Sequence, residues 1–218
     1  MNTTVVKVGG AALRANRMFD FFGGSFCVVH GAGPQISLEM ERAGIPVEFV
    51  DGRRVTSPEG IEIVKREFRR VNALICGAIG ERAVGLMGDE IGLKAERVPE
   101  LGLVGTAVPS RPPAVVEALE AAKIPVVAPL AEGPLNVNAD DAAAALAIGL
   151  GAEGLIFVTD VDGLILDGAV VDEIAVDDAN ELLTGGTLEG GIVPKLHAAV
   201  TAARGGVAAT IGQTAVVA

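Results

Sequence analysis

Two lysines sit where their charge has little to do with packing. Lys7 interrupts the apolar run VVKVGGAAL, one residue before the glycine pair that begins at Gly9 and continues at Gly10. Glycines let backbone N–H groups come close to an anion because no Cβ intervenes. Lys195 falls in the first turn of the helix-like stretch GGIVPKLHAAV. The helix dipole disfavours a cation at that end, so its ammonium either turns to solvent or meets an anion. A second small-residue turn, HGAGPQ, sets Gly31, Ala32 and Gly33 ahead of a helix, and free N–H groups at a helix N-terminus bind anions. It lacks the Gly-Lys-Ser/Thr ending of a Walker A loop and does not complete a dinucleotide fingerprint.

Arg53 and Arg54, in GRRVTS, offer guanidinium forks of the kind that hold a carboxylate. In NVNADDAAAALA, Asn136 and Asn138 flank a valine, and Asp140 and Asp141 fall in the first turn of an alanine-rich helix. The dipole accounts for one aspartate but not for both asparagines. Two lysines, two glycine cradles, an arginine and an Asn/Asp group are what phosphoryl transfer uses. That reaction asks for positioning and charge neutralisation more than covalent chemistry. No Ser/His/Asp triad or metal-ligand cluster competes, since His30 and His197 lie far from any Cys-x-x-Cys pattern.

Alternating strands and helices must position these residues. TTVVKV, SFCVVHG, AVGLMG, PVVAPLA and GLIFVTDVDGLIL read as strands. PQISLEMERAG, SPEGIEIVKREFRRVNALICGAIGER, PPAVVEALEAAKI, ADDAAAALAIGLG and GGIVPKLHAAVTAARGGV read as helices, with Ser57 and Asn138 as N-caps. The pattern predicts an α/β fold with a mainly parallel sheet. The turns after VKV, VVH and VTD then share one sheet edge, outside the strands' carboxyl ends. GTAVPSRPPA is the most loop-like stretch, and PLAEGPLNVN is the candidate join between an N-terminal lobe, about 1–130, and a C-terminal lobe, about 131–218.

Composition narrows the partners. The 218 residues are 50% hydrophobic and carry a net charge of −11, with a mean hydropathy of +0.48 and a pI near 4.6. An acidic chain with 3% aromatics and no Trp or Tyr is poorly suited to nucleic acid or anionic membranes. No apolar run reaches the length of a membrane span and no leader is evident, so a cytoplasmic protein is expected. Cys27 and Cys76, both in apolar surroundings, are expected as buried free thiols.

The ordered set VKVGGAA, VVHGAGPQIS, FVDGRRVTS, AVGLMGDEIGL, IPVVAPL, LNVNADDAAAALA, FVTDVDGL and GGIVPKLHAAVTAARGGV resembles the amino acid kinase family, and within it most the acetylglutamate kinases of arginine biosynthesis. The resemblance runs from Val5 to about Val207. It implies a three-layer αβα sandwich, an open sheet of about eight strands and a homodimer. It also implies transfer of the γ-phosphoryl of ATP, carried with Mg2+, onto the side-chain carboxylate of N-acetyl-L-glutamate. By motif, Lys7 and Lys195 match the lysines that neutralise charge on the transferred group, and Asp140 matches the aspartate that orients both. Gly9, Gly10, Gly31, Ala32 and Gly33 match the phosphoryl cradle. Arg54, Asn136 and Asn138 match the acyl amino acid site. Thr159, Asp160, Val161, Asp162, Gly163, Leu164 and Ile165 match the nucleotide pocket, together with Leu188, Gly190 and Gly191. A kinase for carrier-linked aminoadipate or glutamate, or a catalytically weak regulatory member of the fold, would share most of this set.

The chain departs from the family pattern in four places. Ala32 stands where the family usually has the middle of three glycines, and it is strained only if that position needs a positive φ. The helix after GGAAL is abbreviated, and the C-terminal ATIGQTAVVA lacks the usual helix before the last strand. No extra helix precedes Val5, so a dimer without the arginine feedback of hexameric members is expected.

Overall fold

The first strand, β1 (Thr3–Val8), is β-branched at every position except Lys7. Val5 and Val6 point to opposite faces and both are fully buried, which marks a central strand covered on both sides. The computed structural model describes residues 3–9, 24–159 and 161–218. The abbreviated helix expected after GGAAL lies outside them.

After β1 come β2 (Ser25–His30), α1 (Gly33–Arg42), the hairpin β3 (Phe49–Val50) and β4 (Arg53–Arg54), α2 (Pro58–Ile79), β5 (Ala83–Met87) and α3 (Gly88–Ile91). Next are β6 (Ala95–Arg97), β7 (Val104–Ala107), α4 (Pro113–Glu120), β8 (Ile124–Ala128), β9 (Leu130–Ala131), β10 (Leu135–Val137) and α5 (Ala139–Leu150). The chain ends with β11 (Gly154–Val158), the hairpin β12 (Ile165–Leu166) and β13 (Ala169–Val170), β14 (Glu173–Ala175), α6 (Val176–Gly185), α7 (Ile192–Arg204), β15 (Ala208–Ile211) and β16 (Thr214–Val217).

Eight strands form one sheet in the order β14-β16-β15-β11-β1-β2-β8-β5. All its pairings are parallel except β15 with β16. The two halves of the chain divide this sheet between them, meeting where β1 pairs with β11. One core lies under α1 and α2, where Val6, Val8 and Val28 meet Ile36, Val64 and Phe68. The other lies under α4, α5 and α7, where Val5, Val29 and Phe157 meet Leu119, Leu146 and Leu196. This is the three-layer α/β arrangement with a mainly parallel sheet expected from the sequence.

Several local expectations are corrected. The loop-like GTA is part of β7, which pairs with β6 and β10. Gly105 is there because a Cβ would lie 2.7 Å from that of Ala95, so it marks close strand packing and not a loop. The candidate join PLAEGPLNVN is an antiparallel hairpin, β9–β10, in a second sheet of order β6-β7-β10-β9. Cys27 is buried, but Cys76 is only half-buried. The Asp-Gly dipeptides at 51–52 and 167–168 turn tight hairpins, with φ of +48° and +74° at Asp51 and Gly52 and of +50° and +81° at Asp167 and Gly168. Successive positive φ values are what such two-residue turns require. In place of the family's usual helix before the last strand, which this chain lacks, the tip of the β15–β16 hairpin holds the loop after β11: Gln213 N donates to Asp162 O at 2.7 Å, and Leu164 N to Thr214 Oγ1 at 2.8 Å.

His30 closes β2 on the α2 side of the sheet. Its ring packs edge-on against Phe68, and Asn72 Nδ2 lies 3.1 Å from Nε2 while also donating to Val126 O at 2.8 Å. Because Asn72 donates, Nε2 accepts and the ring is neutral with its proton on Nδ1. Burial pushes the His30 pKa from 6.5 down to about 4, against a smaller upward pull from the Gly31 backbone. A pKa below the unfolded value means that the unfolded chain binds more protons between those limits. Stability is therefore full above pH 6.5 and falls as the pH drops through 4, by about 3 kcal/mol from this group. Urea unfolding at pH 7 and pH 4 measures the loss. A His30→Gln variant with the same pH dependence as the wild type would rule His30 out as its source.

Candidate active site

In register, Val8 of β1 lies opposite both His30 of β2 and Val158 of β11. The residues that follow, Gly9, Gly31 and Thr159, therefore emerge together at one edge of the sheet, as the three small-residue turns predict. Gly31 N donates to Val8 O at 3.1 Å and joins two of the turns directly.

The period of two along β1 decides where Lys7 goes. It shares a face with Val5, the face covered by α5. Alanines at 142–145 and 147 are all buried and let α5 lie close on the sheet. Asn138 caps that helix, its Oδ1 accepting from Asp140 N at 2.7 Å and from Asp141 N at 3.4 Å. The capped first turn aims Asp140 at the end of β1, where Lys7 Nζ meets Asp140 Oδ1 at 2.8 Å. Both side chains are 7% exposed, so each is the charge partner the other needs.

Lys7 and Asp140 line a cavity of about 260 Å³ with Gly9, Gly31, Ala32 and Gly33. An added Cβ at Gly9 or Gly33 would meet nothing within 4 Å, and at Gly31 only Ala139 Cβ at 3.7 Å. Packing does not require these glycines. Their open side is space that an anion can enter to reach backbone N–H groups. Ala32 has φ −144° and serves as N-cap of α1, so alanine is unstrained and its position in the turn intact. Gly10 lies outside the described residues.

Arg54, Asn136 and Asn138 border the same cavity. Arg54 is buried and already committed to the cradle's far side: its Nη2 donates to Gly33 O at 3.1 Å and to Ser37 Oγ at 2.8 Å, and its Nη1 reaches Met40 Sδ at 3.7 Å. Its guanidinium lies 4.5 Å from the centre of the Phe49 ring. Desolvation lowers the Arg54 pKa from its usual value. Asn136 reaches the site from β10, its Nδ2 donating to Thr56 Oγ1 at 3.1 Å. Sequence reasoning missed Phe49, Ser37 and Thr56. Only Phe49 had a signal, the Asp-Gly turn that folds it back beside Arg54.

A second cavity, of about 450 Å³, is lined by Thr159, Val161, Gly163, Leu164, Ile165 and Leu188, and also by Gly191 and Lys195. Most of the expected nucleotide residues thus gather here. Lys195 is not among the described residues that line the first cavity; its Nζ donates to Gly191 O at 3.0 Å. Asp162 and Gly190 do not line the second cavity. Asp162 turns its carbonyl to the C-terminal hairpin, and Gly190 borders a third cavity, of about 580 Å³. Asp160 lies outside the described residues. Among the described residues no group of three or more His, Cys, Asp or Glu side chains could hold a metal, and no helix is long and apolar enough to cross a membrane.

Residues 2–213 match the amino acid kinase family. The chain belongs to that family. It is 41% identical over 224 residues to an acetylglutamate kinase of Rubrobacter xylanophilus, covering 97% of this chain and 88% of the relative. It is 42% identical over 235 residues to an acetylglutamate kinase of a Nocardioides species, covering 93% and 74%. The solved structure of smu.665 from Streptococcus mutans superposes with a TM-score of 0.85 at 26% identity, covering 99% of this chain and 98% of that one. In this amino acid kinase the first cavity opens at the ends of β1 and β2 and the second beside the end of β11, so the two flank the centre of the sheet.

Proposed function

We propose that this amino acid kinase is an acetylglutamate kinase of arginine biosynthesis, with MgATP as phosphoryl donor and the side-chain carboxylate of N-acetyl-L-glutamate as acceptor. The observation that carries the reading is the buried Lys7–Asp140 pair at the mouth of a glycine-lined cavity, in a chain about 40% identical to acetylglutamate kinases over most of its length. The acyl amino acid occupies the first cavity and the nucleotide the second. A cytoplasmic homodimer, with lobes of about 1–130 and 131–218, completes the proposal.

The acceptor carboxylate is ionised at neutral pH and needs no base. One of its oxygens forms a bond to the γ-phosphorus as the bond from that phosphorus to the β–γ bridging oxygen breaks, and ADP leaves with the electron pair. Mg2+ arrives with the nucleotide and adds positive charge along its phosphates. The chain's own work is to align the reactants and to neutralise charge on the transferred oxygens. Lys7, held by Asp140, does so from the acceptor side, and Lys195 from the donor side. Backbone N–H groups at Gly9, Ala32 and Gly33 cradle the group in transfer, while Gly31, its N–H spent on Val8 O, leaves the space open beside them.

Arg54 keeps donors beyond those spent on Gly33 and Ser37, since a guanidinium has five, and these take an acceptor carboxylate. Arg54→Lys retains the charge but loses the fork. It is expected to raise KM for N-acetyl-L-glutamate about tenfold with kcat little changed. A wild-type KM would remove Arg54 from the acceptor site. The function itself is tested by a coupled ADP-release assay over a panel of free and carrier-linked acyl amino acids. Turnover of N-acetyl-L-glutamate no faster than in Lys7→Ala would overturn it.

A further inference from the structure

The third cavity lies between the β3–β4 hairpin and the start of α7, and its charged lining is not used by the chemistry above. Arg53 of the hairpin and Asp141 of α5 both face it, as do Asp51, Glu189 and His197. Arg53 Nη2 lies 3.8 Å from Asp141 Oδ2, with the two side chains 27% and 18% exposed. A second link runs beside the first: Asn138 Nδ2 is 3.5 Å from Gly52 O at the hairpin tip. The tip is thus tied through two adjacent residues, Gly52 and Arg53, to the N-cap and the first turn of α5. That same turn carries Asp140, and the same hairpin brings Phe49, Arg54 and also Arg53, which borders both cavities, to the first cavity.

We propose that Arg53 and Asp141 form a positioning pair that seats the β3–β4 hairpin on α5, and so sets affinity for the acyl amino acid without touching the reacting atoms. This rests on the assignment of the first cavity to that substrate. The hairpin needs such a tie. It is two residues on each side with no further strand in its own sheet, and a lone hairpin is marginal in water. Arg54 anchors one end of it through Gly33 and Ser37, but Phe49 and Val50 are exposed, so burial does little to hold the tip. The pair is also better insulated than a surface ion pair. Burial pushes the Asp141 carboxyl above the usual carboxylate range, Arg53 and then His197 pull it back, and Asp140 adds a small push upward. Asp141 is therefore a partly desolvated carboxylate whose principal partner is Arg53, and losing either member leaves the other uncompensated.

A double-substitution cycle with hairpin amide exchange as a second readout tests the proposal. Asp141→Asn keeps the shape and removes the charge. It is expected to raise KM for N-acetyl-L-glutamate about fivefold, with kcat and the KM for MgATP within about twofold of wild type. Arg53→Gln combined with Asp141→Asn is expected to be no worse than either alone, because both break one interaction. Additive increases, or a larger loss in Arg53→Gln than in Asp141→Asn, would overturn the pairing and make Arg53 a direct substrate ligand. An unchanged KM in Asp141→Asn would overturn it as well. If the wild type turns over no acyl amino acid, the substrate assignment fails, and amide exchange still decides the pair. Faster exchange across residues 50–54 in Asp141→Asn supports it, and identical exchange overturns it.

Discussion

Lys7→Ala is expected to lower kcat at least about a hundredfold while leaving the KM for N-acetyl-L-glutamate within a few-fold of wild type. Removal of a single preorganised donor to a transition state costs on that order or more, and Lys7 is preorganised in an unusually complete way. Its ammonium is almost fully buried and held at 2.8 Å by Asp140, which is fixed in turn by the Asn138 cap. No reorganisation is needed when charge gathers on the transferred oxygens. Asp140→Asn tests the other half of the pair. It leaves a buried ammonium without its counter-charge, so both kcat and folding stability should fall, and Lys7→Met, which keeps the bulk but leaves the equally buried Asp140 carboxylate unpaired, should lower both as well. Steady-state kinetics with thermal unfolding on the three variants separates these effects. A Lys7→Ala enzyme with near-wild-type kcat would remove Lys7 from the transfer step.

Gly149→Ala is expected to destabilise the protein by about 2 kcal/mol, lowering Tm by about 4–8 °C for a chain of this size. Propensity alone argues the other way, since alanine in a helix is favoured over glycine by about 1 kcal/mol. Sterics win because a Cβ there would sit 2.0 Å from Ser110 O and 2.5 Å from both Ser110 C and Ser110 N. These are backbone atoms that cannot rotate away, and overpacking of this kind costs about 1–3 kcal/mol or more. The shift would be felt along α5, the helix that aims Asp140 and Asp141. Gly77→Ala is the control. Gly77 lies on an exposed position of α2 with nothing within 4 Å of an added Cβ, so there the propensity term stands alone and Tm should rise. A Tm increase in Gly149→Ala would show that the 108–112 segment yields to α5.

Much of the architecture is local in origin and was legible for that reason. Ser57 and Asn138 cap α2 and α5 as their side chains predict. β-branched runs became buried parallel strands, and three of them ended in small-residue turns at one edge. The misreadings share a different cause. Gly105 and the Pro- and Gly-flanked β9–β10 segment carry loop-like residues, but their conformations are set by a neighbouring strand's approach and by pairing, which a one-dimensional pattern does not encode. The β3–β4 hairpin had its Asp-Gly signal, but strands of two residues are too short for periodicity to register.

Residue types and spacing already mark which side chains can do the chemistry: Lys7 before a glycine pair, Asp140 in a capped first turn, Lys195 at the wrong end of a helix, and the order in which those motifs follow one another. Each is a property of neighbours along the chain. The tertiary structure alone decided which of them meet. Parallel register and the two-residue period of β1 put Lys7 beneath α5 and against Asp140, while the ends of β2 and β11 brought the glycine cradle and the second cavity to the same edge. It also decided that Arg54 is half spent on Gly33 and Ser37, that Ala32 needs no positive φ, and that Arg53 and Asp141, 88 positions apart in numbering, face each other across the hairpin. Distances between side chains on different elements depend on how the layers stack, and no spacing along one strand or helix contains that information.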